Sequence, residues 1–184
     1  MVFSANNQYI LISNFTEQQT TCWVDTKEIS SEEDIIHLLN KYNITCTQQD
    51  WAISYKNFAN TLVEILGNCP SVEDLFLAIE ILKDWDNDIV DLVLKQRIPY
   101  GQDRLIRLRE DLSLNFEGYF EDRDDYVKQY VRKNINSEVV TYLTRYIMWD
   151  KITQRLEATG AIQILSTGYA EYYVFSEKIK IFAI

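Results

Sequence analysis

The sequence predicts an α+β protein made of three small subdomains. Apolar alternation of period two gathers near both ends, and an uninterrupted helical period fills the middle. Only five Gly and two Pro punctuate 184 residues, so connections should be short. The predicted subdomains are an N-terminal β-hairpin/α/β unit over 1–57, a helical one over 58–115, and an α+β one with a terminal hairpin over 116–184.

In chain order, Gln8–Ser13 and Thr20–Thr26 are β-branched and aromatic runs separated by the polar stretch Asn14–Gln19, the pattern of a hairpin. Ser30 or Ser31 then caps a helix whose Ile35, Ile36, Leu38, Leu39 and Tyr42 recur at helical spacing behind early acids. Trp51–Tyr55 alternates as a third strand. A helix ending at Gly67 follows. Ser71 and Asp74 stand as a capping-box variant ahead of the stripe Leu75, Ile79 and Leu82. Asp86 or Asn87 restarts a helix, and a short one follows the Pro99-Tyr100-Gly101 break. Tyr126, Val127, Tyr130 and Val131 mark the next helix, and Ser137 caps a long one ending at Gly160. Ala161–Ser166 and Glu171–Phe175 flank the turn Thr167–Ala170 as a closing hairpin, with 178–184 a possible last strand.

The composition is that of a folded chain, 47% hydrophobic and 13% aromatic. Charge interrupts every apolar run before the roughly 20 residues a membrane span needs, and no basic n-region precedes an apolar segment. The expected location is the cytoplasm, with no membrane partner. Cys22, Cys46 and Cys69 form no CxxC pair, which argues for packed thiols over a disulfide framework or a zinc site. The single His37 has no second His or nearby Cys to build a triad or metal site. GxGxxG, GxxxxGK[ST], HExxH and GxSxG are all missing from the sequence, so the expectation is a protein that is not an enzyme and takes no cofactor.

The informative feature is charge placement. The net charge of −10 arises from −11 over residues 1–94, +4 over 95–109, −6 over 110–125 and +3 over 126–184. Asp84, Asp86, Asp88 and Asp91 form one acidic row; Glu117, Glu121, Asp122, Asp124 and Asp125 form another. A calcium loop starting at Asp84 needs Gly at its sixth position and Glu at its twelfth, where this chain has Ile89 and Lys95. A two-metal nuclease needs only carboxylates and water, and is the third-ranked class. Helical acids at i and i+4 lie about 6 Å apart along the axis, close to the phosphate repeat of a nucleic-acid strand, and duplex DNA carries one charge per roughly 1.7 Å. Asp84 with Asp88 reads as such a like-charged pair, costing a few tenths of a kcal/mol. A solvated helix face is the plain alternative.

Several strings then resemble the ArdA family of antirestriction proteins, which mimic DNA. Tyr9–Asn14 followed by Cys22-Trp23-Val24 is similar to the family's opening hairpin, and Trp51–Tyr55 to its later strand. Asp124–Val131 resembles a family helix of type DVARYYVEE, and Leu143–Trp149 falls where the family carries its antirestriction motif. The resemblance implies an elongated, curved chain of three domains, often a homodimer, that occupies the DNA groove of type I restriction-modification enzymes and does not itself bind nucleic acid. It assigns the two acidic rows to the partner-binding face. Tyr142, Tyr146 and Trp149, at i, i+4 and i+7, would form one helix face serving as core or dimer contact. Other outcomes are inhibition of a different DNA-handling defence protein such as a CRISPR effector, or an acidic interaction module without mimicry.

Overall fold

The computed structural model describes residues 7–14, 20–41, 51–101, 103–134, 143–168 and 171–176. The chain is α+β, and its contacts group into two compact units, Met1–Arg109 and Glu110–Ile184. The expected first and second subdomains therefore share one unit, and the division falls at 109/110 rather than at 57/58 and 115/116. Packing across the expected boundary explains the merger: the helix over Glu32–Lys41 packs on the helix over Val72–Asp84, where Ile35, Leu39, Leu75 and Ile79 are all at most 1% exposed, and Ile53 N donates to Asn68 O at 2.7 Å.

In the first unit β1 (Tyr9–Asn14) pairs antiparallel with β2 (Thr20–Asp25) and with β3 (Trp51–Lys56), giving the order β2-β1-β3. Ile10 faces Val24 on one side and Tyr55 on the other, and Ile12 faces Ile53. α1 (Glu32–Lys41) opens on a reciprocal cap: Ser31 Oγ accepts from Asp34 N at 3.3 Å, while Asp34 Oδ2 accepts from Ser30 N at 2.7 Å and Ser31 N at 3.0 Å. Those backbone donors hold the Asp34 carboxyl below its usual range.

Four helices complete the unit's sequence: α2 (Asn60–Leu66), α3 (Val72–Asp84), α4 (Asn87–Gln96) and α5 (Arg104–Asn115), the last running past residue 109. α1 packs on α3, and α2 on α3 and α4. Gly67 ends α2 at φ 62°, its N–H donating to Val63 O at 2.9 Å. The Gly67 carbonyl in turn accepts from Tyr55 Oη at 2.9 Å, and burial pushes that phenol well above its ordinary pKa. The capping box read at Ser71 is present: Asp74 N donates to Ser71 Oγ at 3.0 Å, and that hydroxyl donates to Asp74 Oδ2 at 2.8 Å. α3 buries Leu75, Ala78, Ile79, Ile81 and Leu82, each large aliphatic contributing about 1.5–3 kcal/mol when fully buried. Asn57 takes a left-handed φ of 61°, which Asn tolerates, and is fixed by Asn57 Nδ2 donating to Asn7 O and Asn87 Nδ2 donating to Asn57 O, both at 2.8 Å.

In the second unit β4 (Phe116–Phe120), which the sequence did not signal, joins β5 (Ile162–Ser166) and β6 (Tyr172–Ser176) in the order β4-β6-β5, all antiparallel. α6 (Asp125–Asn134) and α7 (Trp149–Ala158) supply the cluster in which Val127 meets Ile162 and Val174, surrounded by Phe120, Trp149, Ile152 and Leu156. The long helix expected up to Gly160 is interrupted. Residues 144–146 form a 3-10 turn, Ile147 and Met148 take non-helical ψ angles of 126° and 83°, and α7 starts afresh at Trp149. The expected cap at Ser137 and the strand over 178–184 lie outside the described residues.

Candidate functional site

The first acidic row sits at the α3–α4 junction. Asp84 is the last residue of α3, Asp86 the N-cap of α4, and Asp88 lies in the first turn of α4; all three are exposed. Trp85 (ψ 138°) and Asp86 (ψ 151°) are extended, so Asp84 and Asp88 belong to different helices and are not the i,i+4 pair of one helix that the spacing suggested. The positions carry different physics. Asp86 and Asp88 face the positive end of the α4 dipole and are favourable there, whereas Asp84 sits at the negative end of α3. Lys83, its neighbour, donates its Nζ to Ile29 O at 2.6 Å. Among the described residues no ion pair engages Asp84, Asp86 or Asp88.

Asp91 is different. Its carboxylate accepts from Thr61 N at 2.7 Å and Asn60 N at 3.3 Å, capping α2 from the neighbouring helix. The N-cap of α2 is Ala59, which has no side chain able to do this. Lys95 approaches Asp91 at 3.8 Å. Asp91 is therefore a structural cap, a role that no sequence signal within its own helix announces.

The second acidic row surrounds the start of α6. Asp122 Oδ1 accepts from Asp124 N at 2.8 Å, and Asp125 N donates to Asp122 O at 3.1 Å, the turn that launches the helix. Lys128 bridges Asp125 at 2.9 Å and Asp122 at 3.3 Å. The Asp124 backbone donor, then Lys128, hold the Asp122 carboxyl below its usual range; hydrogen bonding to Asp125, then to Asp122, raises Lys128. Glu117, on β4, accepts from Ser176 Oγ. Arg123 pairs with Glu157. Glu121 is exposed and Asp124 half-buried, with no ion pair among the described residues. Of the nine acids, then, Asp91, Glu117, Asp122 and Asp125 are already engaged. The two rows lie in different units.

Of the expected aromatic face, the described residues include Tyr146 and Trp149, which do not share a helix. Tyr142 lies outside the described residues. Tyr146 ends the 3-10 turn, 69% exposed with the Arg145 guanidinium 5.2 Å from its ring centre, while Trp149 begins α7 and packs into the core. The break at Ile147–Met148 separates them, so Tyr146 and Trp149 are not successive positions on one helix face.

His37 is exposed on α1, and Cys69 is exposed rather than packed; Cys46 lies outside the described residues. Among the described residues no group of three or more His, Cys, Asp or Glu is placed to hold a metal ion. No helix there is long and apolar enough to cross a membrane. A cavity of about 300 Å³ at the start of α5 is lined by Ile65, Leu66, Asp74, Asp103, Arg104 and Leu105. Its Arg104 donates to Leu94 O at 3.0 Å and lies over the Tyr100 ring, 4.5 Å from the centroid.

Sequence reading missed one local arrangement. Tyr119 on β4 and Tyr173 on β6 face each other across the sheet, next to the end that Glu121 and Glu171 flank, and only pairing over some fifty residues brings them together. Comparison with known proteins adds no relative: no family model, no curated protein and no solved structure matches this chain.

Proposed function

We propose that the chain is a DNA-mimic antirestriction protein that competes for the DNA-binding groove of type I restriction-modification enzymes by binding and not by catalysis. The observation that carries this reading is the α3–α4 junction, where Asp84, Asp86 and Asp88 are exposed and unpaired among the described residues, one of them at the helix end that disfavours an acid. The family resemblance of the sequence supplies the partner class. Carboxylates presented in this way meet the Lys and Arg that otherwise neutralise phosphates, so association is fast at low salt and weakens as ionic strength rises. Glu121 and Asp124 in the second unit extend the same chemistry.

The test is whether the purified protein blocks DNA binding by a type I enzyme without binding DNA itself. Replacing Asp84, Asp86 and Asp88 together by Asn should abolish the block in a chain that still folds. Undiminished inhibition by that variant would remove the junction from the binding face.

A second reading has its own support. Four of the nine candidate acids are engaged in a cap, a turn, an ion pair or a side-chain hydrogen bond, which suits an acidic interaction module with a smaller negative footprint than a duplex mimic. Inhibition of another DNA-handling defence protein fits the same footprint. Binding to such a protein while type I enzymes are unaffected would select this reading.

A further inference from the structure

β4 and β6 are antiparallel, with Tyr119 opposite Tyr173 and Phe120 opposite Tyr172. Glu121 immediately follows β4 and Glu171 immediately precedes β6, so both flank the Phe120–Tyr172 end of this pair. Both glutamates act electrostatically on the Tyr119 phenol, which sets them beside the tyrosine pair. Phe120 and Val174 point the other way, into the cluster under α6 and α7. The two phenol rings are 5.7 Å apart and inclined at 59°, and Tyr119 is 48% exposed. Glu121 is exposed; Glu171 is half-buried and accepts from Thr167 Oγ1 at 3.1 Å.

This juxtaposition is unfavourable in the isolated chain. Neighbouring like charges repel, and among the described residues no Lys or Arg is paired with either glutamate. Partial desolvation, then Glu171 and Glu121, raise the Tyr119 pKa, so its phenol stays neutral and its ring remains an electron-rich face. Two carboxylates beside two ring faces are complementary to one kind of group, a planar cation. A guanidinium can stack on a tyrosine and donate to a carboxylate at once, whereas an ammonium is a strongly hydrated point charge. A calcium ion would need six to eight oxygens, more than this site presents.

We propose that this end of the β4–β6 pair is an arginine-accepting site, at which Tyr119, Tyr173, Glu121 and Glu171 receive a guanidinium from a basic protein partner. The proposal deepens the functional reading and rests on that part of it which makes the partner a basic protein. It adds a preference for Arg over Lys that charge alone would not give.

The experiment uses fluorescence anisotropy with labelled oligo-arginine and oligo-lysine peptides of equal length, at one fixed salt concentration, against the full chain. The arginine peptide should bind several-fold tighter. Tyr119→Ala should weaken it by about 2- to 5-fold and remove most of the preference, as expected for a cation–π contact at an exposed site. Tyr119→Phe should retain the preference, and Glu121→Gln, at an exposed position, should reduce arginine binding without touching the rings. Equal affinity for the two peptides, or a preference that survives Tyr119→Ala, overturns the site. The two proposals fail separately: a chain that prefers arginine but leaves type I enzymes uninhibited refutes only the antirestriction reading, and inhibition without arginine preference refutes only the site.

Discussion

Replacing Asp91 by Ala should destabilise the first unit by about 2 kcal/mol. The Asp91 side chain is 18% exposed and satisfies two of the N–H groups at the start of α2, at 2.7 and 3.3 Å. Loss of an N-cap costs typically about 1 kcal/mol, and a hydrogen bond to a charged acceptor is worth about 1.5–3 kcal/mol. The longer contact to Asn60 counts for less than the shorter one to Thr61, and the 3.8 Å approach of the 60% exposed Lys95 adds at most a few tenths. The expected sum falls near 2 kcal/mol, or roughly 8 °C in Tm for a cooperative unit of about 100 residues. Asp91→Asn keeps one acceptor oxygen and should lose about half as much. The assay is thermal and urea unfolding followed by far-UV circular dichroism, with Asp88→Asn as the neighbouring control. If Asp91→Ala unfolds within 0.5 kcal/mol of the parent, by the ordinary scatter of surface substitutions, the cross-helix cap is not a stabilising contact and Asp91 returns to the candidate binding face.

Other outcomes follow from the same geometry. The triple change Asp84→Asn, Asp86→Asn and Asp88→Asn should shift stability by no more than about 1 kcal/mol, because relief at the end of α3 offsets losses at the start of α4; the same variant should lose inhibition, measured by competition for DNA. Alkaline pH should loosen the second unit. Burial pushes Tyr126 up to about 12 and Lys128 is also raised, and raised pKa values stabilise below the unfolded value and are lost as pH climbs through the folded one, so unfolding should set in from about pH 10 to 12. Asp122 runs the other way: its lowered pKa contributes stability above the ordinary carboxylate range, which fades as pH falls below about 4. Both limbs can be read from denaturation midpoints across pH. Gly118→Ala should cost about 1 kcal/mol or more in chemical denaturation, since φ is 148° and an added Cβ would lie 3.3 Å from the Phe120 ring.

Local signals were readable where the physics is local. The β1–β2 hairpin, the caps of α1 and α3, and the restart of α4 at Asp86–Asn87 all depend on residues within a few positions of one another. β4 was not readable, because Phe116–Phe120 carries a glycine and an acid and becomes a strand only by pairing with β6, more than fifty residues on. The break at Ile147–Met148 lacks the Gly or Pro that usually marks one, so periodicity ran straight through it. The acidic rows were visible in the sequence, but their division of labour was not. Whether an aspartate caps a helix or faces solvent depends on which N–H group a neighbouring element brings to it, as Asp91 and Asp88 show from positions three apart on one helix.

The cap that Asp91 lends to α2 has a consequence for how this part of the chain folds. At seven residues α2 is too short to persist alone, since helix nucleation is costly and isolated helices below about 12 residues are marginal. Its first turn is completed by a group that arrives only when α4 docks, thirty residues later in the chain. Helix formation and docking are thus a single event here: α2 and α4 open and close together as one cooperative block, and the block ends at the α3–α4 junction that carries Asp84, Asp86 and Asp88.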